Sequence, residues 1–110
     1  MDKEIKKKLA SNWFKLLQNT IWNKIEKLEK KKIIFKQKKW LRNKIRDEGG
    51  GEFRILKNGK IFEKVGVNFS EVYGKFSNEM KKKIPGAKNN PNFWASGISV
   101  VMHMNNPHLP

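Results

Sequence analysis

Ile5, Leu9, Trp13, Leu17, Ile21, Ile25 and Leu28 recur at spacings of four and three, and Phe14, Leu16 and Trp22 widen the same stripe. The pattern predicts one long amphipathic helix over residues 1–30. Asp2 is placed to cap it, Glu4–Lys8 and Glu26–Lys30 are i,i+4 pairs in the favourable order, and lysines 30–32 suit the negative end of the helix dipole. A basic amphipathic helix can also lie on a membrane or in a partner's groove. The aromatic stripe favours a core role and asks for a sheet to pack on.

After residue 32 the period changes. Residues 33–41 (Ile-Ile-Phe-Lys-Gln-Lys-Lys-Trp-Leu) open with β-branched and aromatic residues, while Lys36, Lys38 and Lys39 predict a strand exposed on one face or at an edge. Residues 42–51 lose all periodicity. Gly49-Gly50-Gly51 read as an irregular loop where backbone approaches backbone or a ligand, because each glycine in a strand costs backbone entropy. Phe53–Leu56 and Ile61–Val67 flank Asn58-Gly59, which predicts a β-hairpin closed by a two-residue type I′ turn. Residues 75–92 read as a long surface connection with a short turn of helix near Glu79.

Phe93–Met104 is the last predicted strand. Alternation puts Trp94, Ser96, Ile98, Val100 and Met102 on one face, bulky enough for a core. The other face carries Phe93, Ala95, Gly97, Ser99, Val101 and His103. Its small residues leave room above the sheet, and its two polar groups, Ser99 and His103, stand roughly 13 Å apart at about 3.3 Å per residue. Such a face is a floor for a large flat ligand. The fold class expected is α+β, a long N-terminal helix packed on an antiparallel sheet, with the helix over residues 1–30 and the sheet over 33–104.

Composition changes this picture little. A chain of 110 residues is one domain or part of one. No apolar run approaches the ~18 residues of a membrane span, and no secretory or transit pattern opens the chain, so a soluble, cytoplasmic protein is expected. The absence of cysteine excludes disulfides, thiolate catalysis and cysteine-based zinc sites. The net charge of +15 raises the question of an anionic partner, and a basic RNA- or DNA-binding module is the alternative reading. Against it, only 3 of the 25 basic residues are Arg, the residue favoured for bidentate phosphate and base contacts. No recognised nucleic-acid-binding signature is present either.

The stretch Gly49-Gly50-Gly51-x-x-Arg54-Ile55-Leu56-x-x-Gly59-x-Ile61-Phe62-Glu63-Lys64-Val65-Gly66-Val67-Asn68-Phe69-Ser70 resembles the glycine-rich segment of oxygen-dependent coproporphyrinogen III oxidases. Trp40-x-Arg42 ahead of it and Ser70-x-Val72-x-Gly74 after it continue the likeness. A second motif, Phe93-x-Ala95-x-Gly97-Ile98-Ser99 running on to His103 and Asn106-Pro107-x-Leu109-Pro110, follows in the order of that family. Met104 stands where the family usually has Pro, and three glycines stand where many members have four.

The resemblance implies an enzyme of haem biosynthesis that uses oxygen to decarboxylate two propionates of coproporphyrinogen III to vinyls, giving protoporphyrinogen IX with no organic cofactor. It implies a single incomplete domain over 1–110, the N-terminal third of a larger helix-covered antiparallel sheet. Ser99 maps onto the family's substrate-contacting Ser, and His103 onto a divalent-metal ligand of bacterial members. His108 falls at a variable place and takes no role. The family's proton-donor His would lie beyond Pro110, so no catalytic residue is expected within these residues, which would be inactive alone. The expected partners are coproporphyrinogen III and, for the full-length enzyme, a second copy in a homodimer, with no nucleic acid and no membrane span.

Overall fold

The computed structural model describes residues 2–29 and 36–108. Helix α1 (Lys3–Glu29) is followed by strands β1 (Lys36–Leu41), β2 (Gly49–Lys57) and β3 (Phe62–Lys75), a short helix α2 (Asn78–Lys83) and strand β4 (Asn92–Met104). The strands form one antiparallel sheet in chain order, β1-β2-β3-β4. This is the expected α+β arrangement. Lysines 30–32 and the predicted strand start at Ile33-Ile34-Phe35 lie outside the described residues.

Helix α1 starts where the sequence places it: Asp2 Oδ1 accepts the Glu4 N–H at 2.9 Å. In its first turn Glu4 pairs with Lys7 at 3.2 Å, one residue earlier than the expected Lys8. The helix lies along β3 and runs antiparallel to it. Near its start Ser11 hydrogen-bonds Glu71 and Ser96, midway Gln18 Nε2 donates to the Val67 carbonyl, and at its end Glu29 reaches Phe62.

The stripe that faces the sheet differs from the one expected. Ser11, Gln18, Trp22, Ile25 and Glu29 are buried, whereas Ile5, Leu9, Trp13, Leu16 and Leu28 are each at least 50% exposed. Polar residues occupy the inner face because the sheet offers them partners. The Gln18 amide bridges the carbonyls of Glu52 on β2 and Val67 on β3, at 3.0 and 3.2 Å. Satisfied in this way, a buried amide costs little, so helix rotation is decided by the hydrogen bonds as well as by apolar area. The apolar core is confined to the C-terminal half of α1, where Trp22 and Ile25 pack on Leu56, Phe62, Val65 and Val67.

Strands β2 and β3 make the expected hairpin, but its turn is not type I′. The ladder ends at Lys57↔Lys64, Asn58 N–H donates to the Glu63 carbonyl at 2.8 Å, and the strand bounds leave four residues, Asn58 to Ile61, between β2 and β3. Of the Asn58-Gly59 pair only Asn58 takes a left-handed backbone, with φ 58°. Gly59 serves close approach instead: a Cβ there would stand 2.7 Å from Glu29 Oε1. The carboxylate of Glu29, 3% exposed, accepts the N–H groups of Lys60, Ile61 and Phe62 at 2.6, 3.0 and 2.8 Å. A helix end that would repel a carboxylate by its dipole thus holds one, because the loop supplies three converging donors.

The glycine triplet also departs from expectation. Gly49, Gly50 and Gly51 belong to β2 and pair with Val72, Glu71 and Ser70 of β3. The close approach of backbone is real, since an added Cβ would meet a neighbouring strand's carbonyl oxygen at 2.1, 2.1 and 1.9 Å respectively. The sheet pinches there and only glycine fits, which offsets its entropic cost in a strand.

Candidate functional site

Pairing in the sheet fixes which side chains share a face. In the β3–β4 ladder Phe69↔Ile98, Val67↔Val100 and Val65↔Met102 face α1, and Ser70↔Gly97, Asn68↔Ser99, Gly66↔Val101 and Lys64↔His103 face away. The ladder's irregularity lies between Phe62 and Lys64 on β3, so register is unbroken along β4 from Asn92 to His103. Ser99 and His103 therefore stand on the same face, opposite the helix. Both are exposed, and so are Val100, Val101 and Met102.

The open face is shaped by Trp40. Its strand partner is Gly51, and a Cβ on that glycine would lie 2.8 Å from the indole ring, so the ring occupies the space a side chain would take. The indole N–H reaches across β2 and donates to Asn68 Oδ1 at 3.0 Å. Beyond the ring lies a cavity of about 420 Å³, lined by Trp40, Phe53, Ile55, Lys64, Asn68 and Ser99 with the bare backbone of Gly66 in its floor. That volume is in the range of small-molecule sites.

Farther along the same face the residues anchor each other. The Arg42 guanidinium sits 4.8 Å from the Phe93 ring centroid and donates to the Tyr73 carbonyl at 3.1 Å, while Phe93 stacks on Phe76 at 4.9 Å. On the helix side of the sheet, the Tyr73 hydroxyl donates to Asp47 Oδ1 at 2.5 Å. This bond, with desolvation and the negative charges of Asp47 and Glu71, raises the Tyr73 pKa above its ordinary value.

Two larger cavities, about 570 and 590 Å³, lie along α1. Both have carboxylates in their walls, Asp47, Glu52 and Glu71 in one and Glu4 and Glu71 in the other. In the first, Arg54 is already paired with Glu52 at 3.1 Å. Their mixed charge suits contacts between parts of a protein more than capture of an anion. The cavity on the open face has Lys64 in its lining and no carboxylate.

Among the described residues no three His, Asp or Glu side chains converge on a point that could hold a metal. The cross-strand neighbour of His103 is Lys64, whose ammonium opposes a second cation at that place.

Trp40, Lys64 and Asn68 carry no role in the sequence reading. The signal for them is register: once β2 and β3 pair in a hairpin, alternation sets Phe53, Ile55, Lys64, Gly66 and Asn68 on the face of Ser99.

Fold and face together define an α+β sheet protein with one side covered by a helix and a ligand-sized cavity on the other. The coproporphyrinogen III oxidase family model matches residues 9–110, so the chain belongs to that family. It is 41% identical to the oxygen-dependent coproporphyrinogen-III oxidase of Rickettsia felis over 94% of this chain and 39% of the relative. The enzymes of that name from Rickettsia akari and Rickettsia prowazekii are 40% and 41% identical over the same shares. The chain spans about 39% of the length of these relatives. No helix among the described residues is long and apolar enough to cross a membrane.

Proposed function

We propose that this chain forms the floor of a coproporphyrinogen III site, on which the tetrapyrrole lies with its ring against the glycine-rich open face of the sheet. The observation that carries the reading is the composition of that face. Trp40, Phe53 and Ile55 offer flat apolar area, and Lys64, Asn68 and Ser99 offer donors, with no carboxylate in the lining. A ligand matching it is flat, apolar at its centre and anionic at its rim. The names of the relatives supply the reaction class, in which oxygen is the electron acceptor.

Each turnover at one side chain breaks the bond between carboxylate and α-carbon and removes a hydride equivalent from the β-carbon. The carboxylate leaves as carbon dioxide and the two remaining carbons become the vinyl, while oxygen takes the hydride and a proton to become hydrogen peroxide. The part assigned to this chain is binding and orientation. Ser99 is proposed as a direct substrate contact, donating its hydroxyl to a propionate. His103, opposite Lys64 at the end of the row, adds polar character at the rim, and no step is routed through a metal there.

Coproporphyrin III, the air-stable oxidised form of the substrate, tests the reading by quenching of tryptophan fluorescence in the 110-residue chain. Saturable binding is expected. Ser99→Leu, which fills the cavity from an exposed position, should weaken it at least tenfold, a loss of ~1.4 kcal/mol of binding energy, with the unfolding temperature unchanged. No saturable binding, or undiminished binding by the Ser99→Leu chain, rules the reading out.

A further inference from the structure

Asn68 sits directly opposite Ser99 on the open face, and Trp40 decides how its amide is turned. The indole N–H can only donate, so the amide must present Oδ1 to it at 3.0 Å. That choice leaves both amide N–H donors pointing away from Trp40, and no described protein group accepts from them. Asn68 lines the cavity, as does Lys64, four residues earlier on the same face. A strand rises about 3.3 Å per residue, so the two positions are roughly 13 Å apart along β3, and the lysine's long stem lets its ammonium reach back over Gly66. Ser99, across from Asn68, adds a hydroxyl.

We propose that Asn68, oriented by Trp40, and Lys64 form a carboxylate-anchoring subsite that fixes one acidic side chain of a flat polycarboxylate ligand over Gly66. The subsite rests on the reading of the open face as a tetrapyrrole floor and names residues that select for acid at one edge. Asn68 donates an N–H to a carboxylate oxygen, and Lys64 supplies the charge. Trp40 acts through Asn68 and is a positioning residue. Without its indole N–H the amide is free to flip and present an oxygen to an anion. The walls of Phe53 and Ile55 lower the local dielectric, which strengthens both contacts.

The experiment compares two probes, coproporphyrin III and its tetramethyl ester, which keeps the ring and loses the charges. Binding of each is titrated by fluorescence to the unaltered chain and to Asn68→Asp, Lys64→Gln and Trp40→Phe. Asn68→Asp keeps an acceptor for Trp40 and removes the donors. Lys64 is exposed, so its variant keeps the fold even if a change at Asn68 disturbs it.

The expected result is an acid affinity reduced about tenfold or more by Asn68→Asp and by Lys64→Gln, and several-fold by Trp40→Phe, with the ester affinity little changed. Equal losses for acid and ester would mean that these residues shape the floor without reading the carboxylate, and would overturn the subsite. Acid binding unaffected by Lys64→Gln would overturn it too, while leaving the tetrapyrrole reading in place. If the unaltered chain binds neither probe, both fall together.

Discussion

Glu29, the last residue of α1, accepts the backbone N–H of Phe62 at 2.8 Å and so ties the end of the helix to the first residue of β3. The same carboxylate takes the N–H groups of Lys60 and Ile61. From the far side, the Asn105 side chain donates to the Lys60 carbonyl at 3.0 Å. The hairpin loop is held between the two.

Glu29→Ala would leave those three donors without partners in a buried place. It is expected to destabilise the chain by about 3 kcal/mol in urea unfolding, and Glu29→Gln, which keeps one acceptor oxygen, by less. An alanine variant as stable as the parent would show that water serves these donors equally well.

Two tryptophans of α1 separate its inner and outer faces. Trp22 is 1% exposed and Trp13 is 57% exposed. Replacement of Trp22 by Ala should cost about 3–5 kcal/mol, and the same change at Trp13 less than about 1 kcal/mol. Denaturant midpoints of the two variants decide it. A reversal of their order would restore the stripe that the sequence pattern suggests.

Gly51 is where Trp40 crosses the sheet. Gly51→Ala would drive a methyl group into the Phe69 carbonyl oxygen at 1.9 Å and the Trp40 ring at 2.8 Å, and should cost about 1–3 kcal/mol while altering the Trp40 emission. Gly66→Ala meets nothing within 4 Å and should stay within about 0.5 kcal/mol of the parent. Comparable losses at both sites would mean that glycine serves backbone freedom here and not close approach.

Tyr73 is the one tyrosine of the chain, so its ionisation can be followed by ultraviolet absorbance without overlap from others. The hydrogen bond to Asp47 is the largest cause of its raised pKa. The folded chain holds that proton more tightly than the unfolded chain. The contribution to stability is therefore complete below the ordinary phenol value of about 10 and is lost as pH rises through the higher folded value. The titration midpoint should lie above about 10 in the parent and fall toward it in Asp47→Asn. Identical midpoints in the two chains would remove Asp47 as the cause.

Much of the fold could be read in advance because it rests on local pattern. The α1 periodicity, the hairpin around Asn58-Gly59 and the two-faced alternation of β4 all follow from side-chain spacing, and the placement of Ser99 and His103 away from the helix follows from the last of these. What could not be read depends on contacts distant in sequence. Which stripe of α1 turns inward is decided by Gln18 finding carbonyls on β2 and β3. Gly49-Gly50-Gly51 join a strand because neighbouring backbones close in on both sides, information the triplet itself does not hold. The wider hairpin loop answers to Glu29, some thirty residues earlier. Trp40 and Asn68 were visible as letters, but their meeting depends on the register of three strands.

The order of the sheet bears on how the chain assembles during synthesis. Each strand pairs with the next one made, so the sheet can grow outward one hairpin at a time. Helix α1 completes its contacts later, because its Ser11 bonds to Ser96, 85 residues on. At a translation rate of about 5–20 residues per second Ser11 waits roughly 4–17 s for Ser96. Until Leu56 to Val67 have been made, Trp22 and Ile25 are as exposed as Leu9 and Trp13, so the nascent helix shows apolar residues on its inner and outer faces alike. The segment that most needs shelter from other chains is thus one made before any strand of the sheet it packs on.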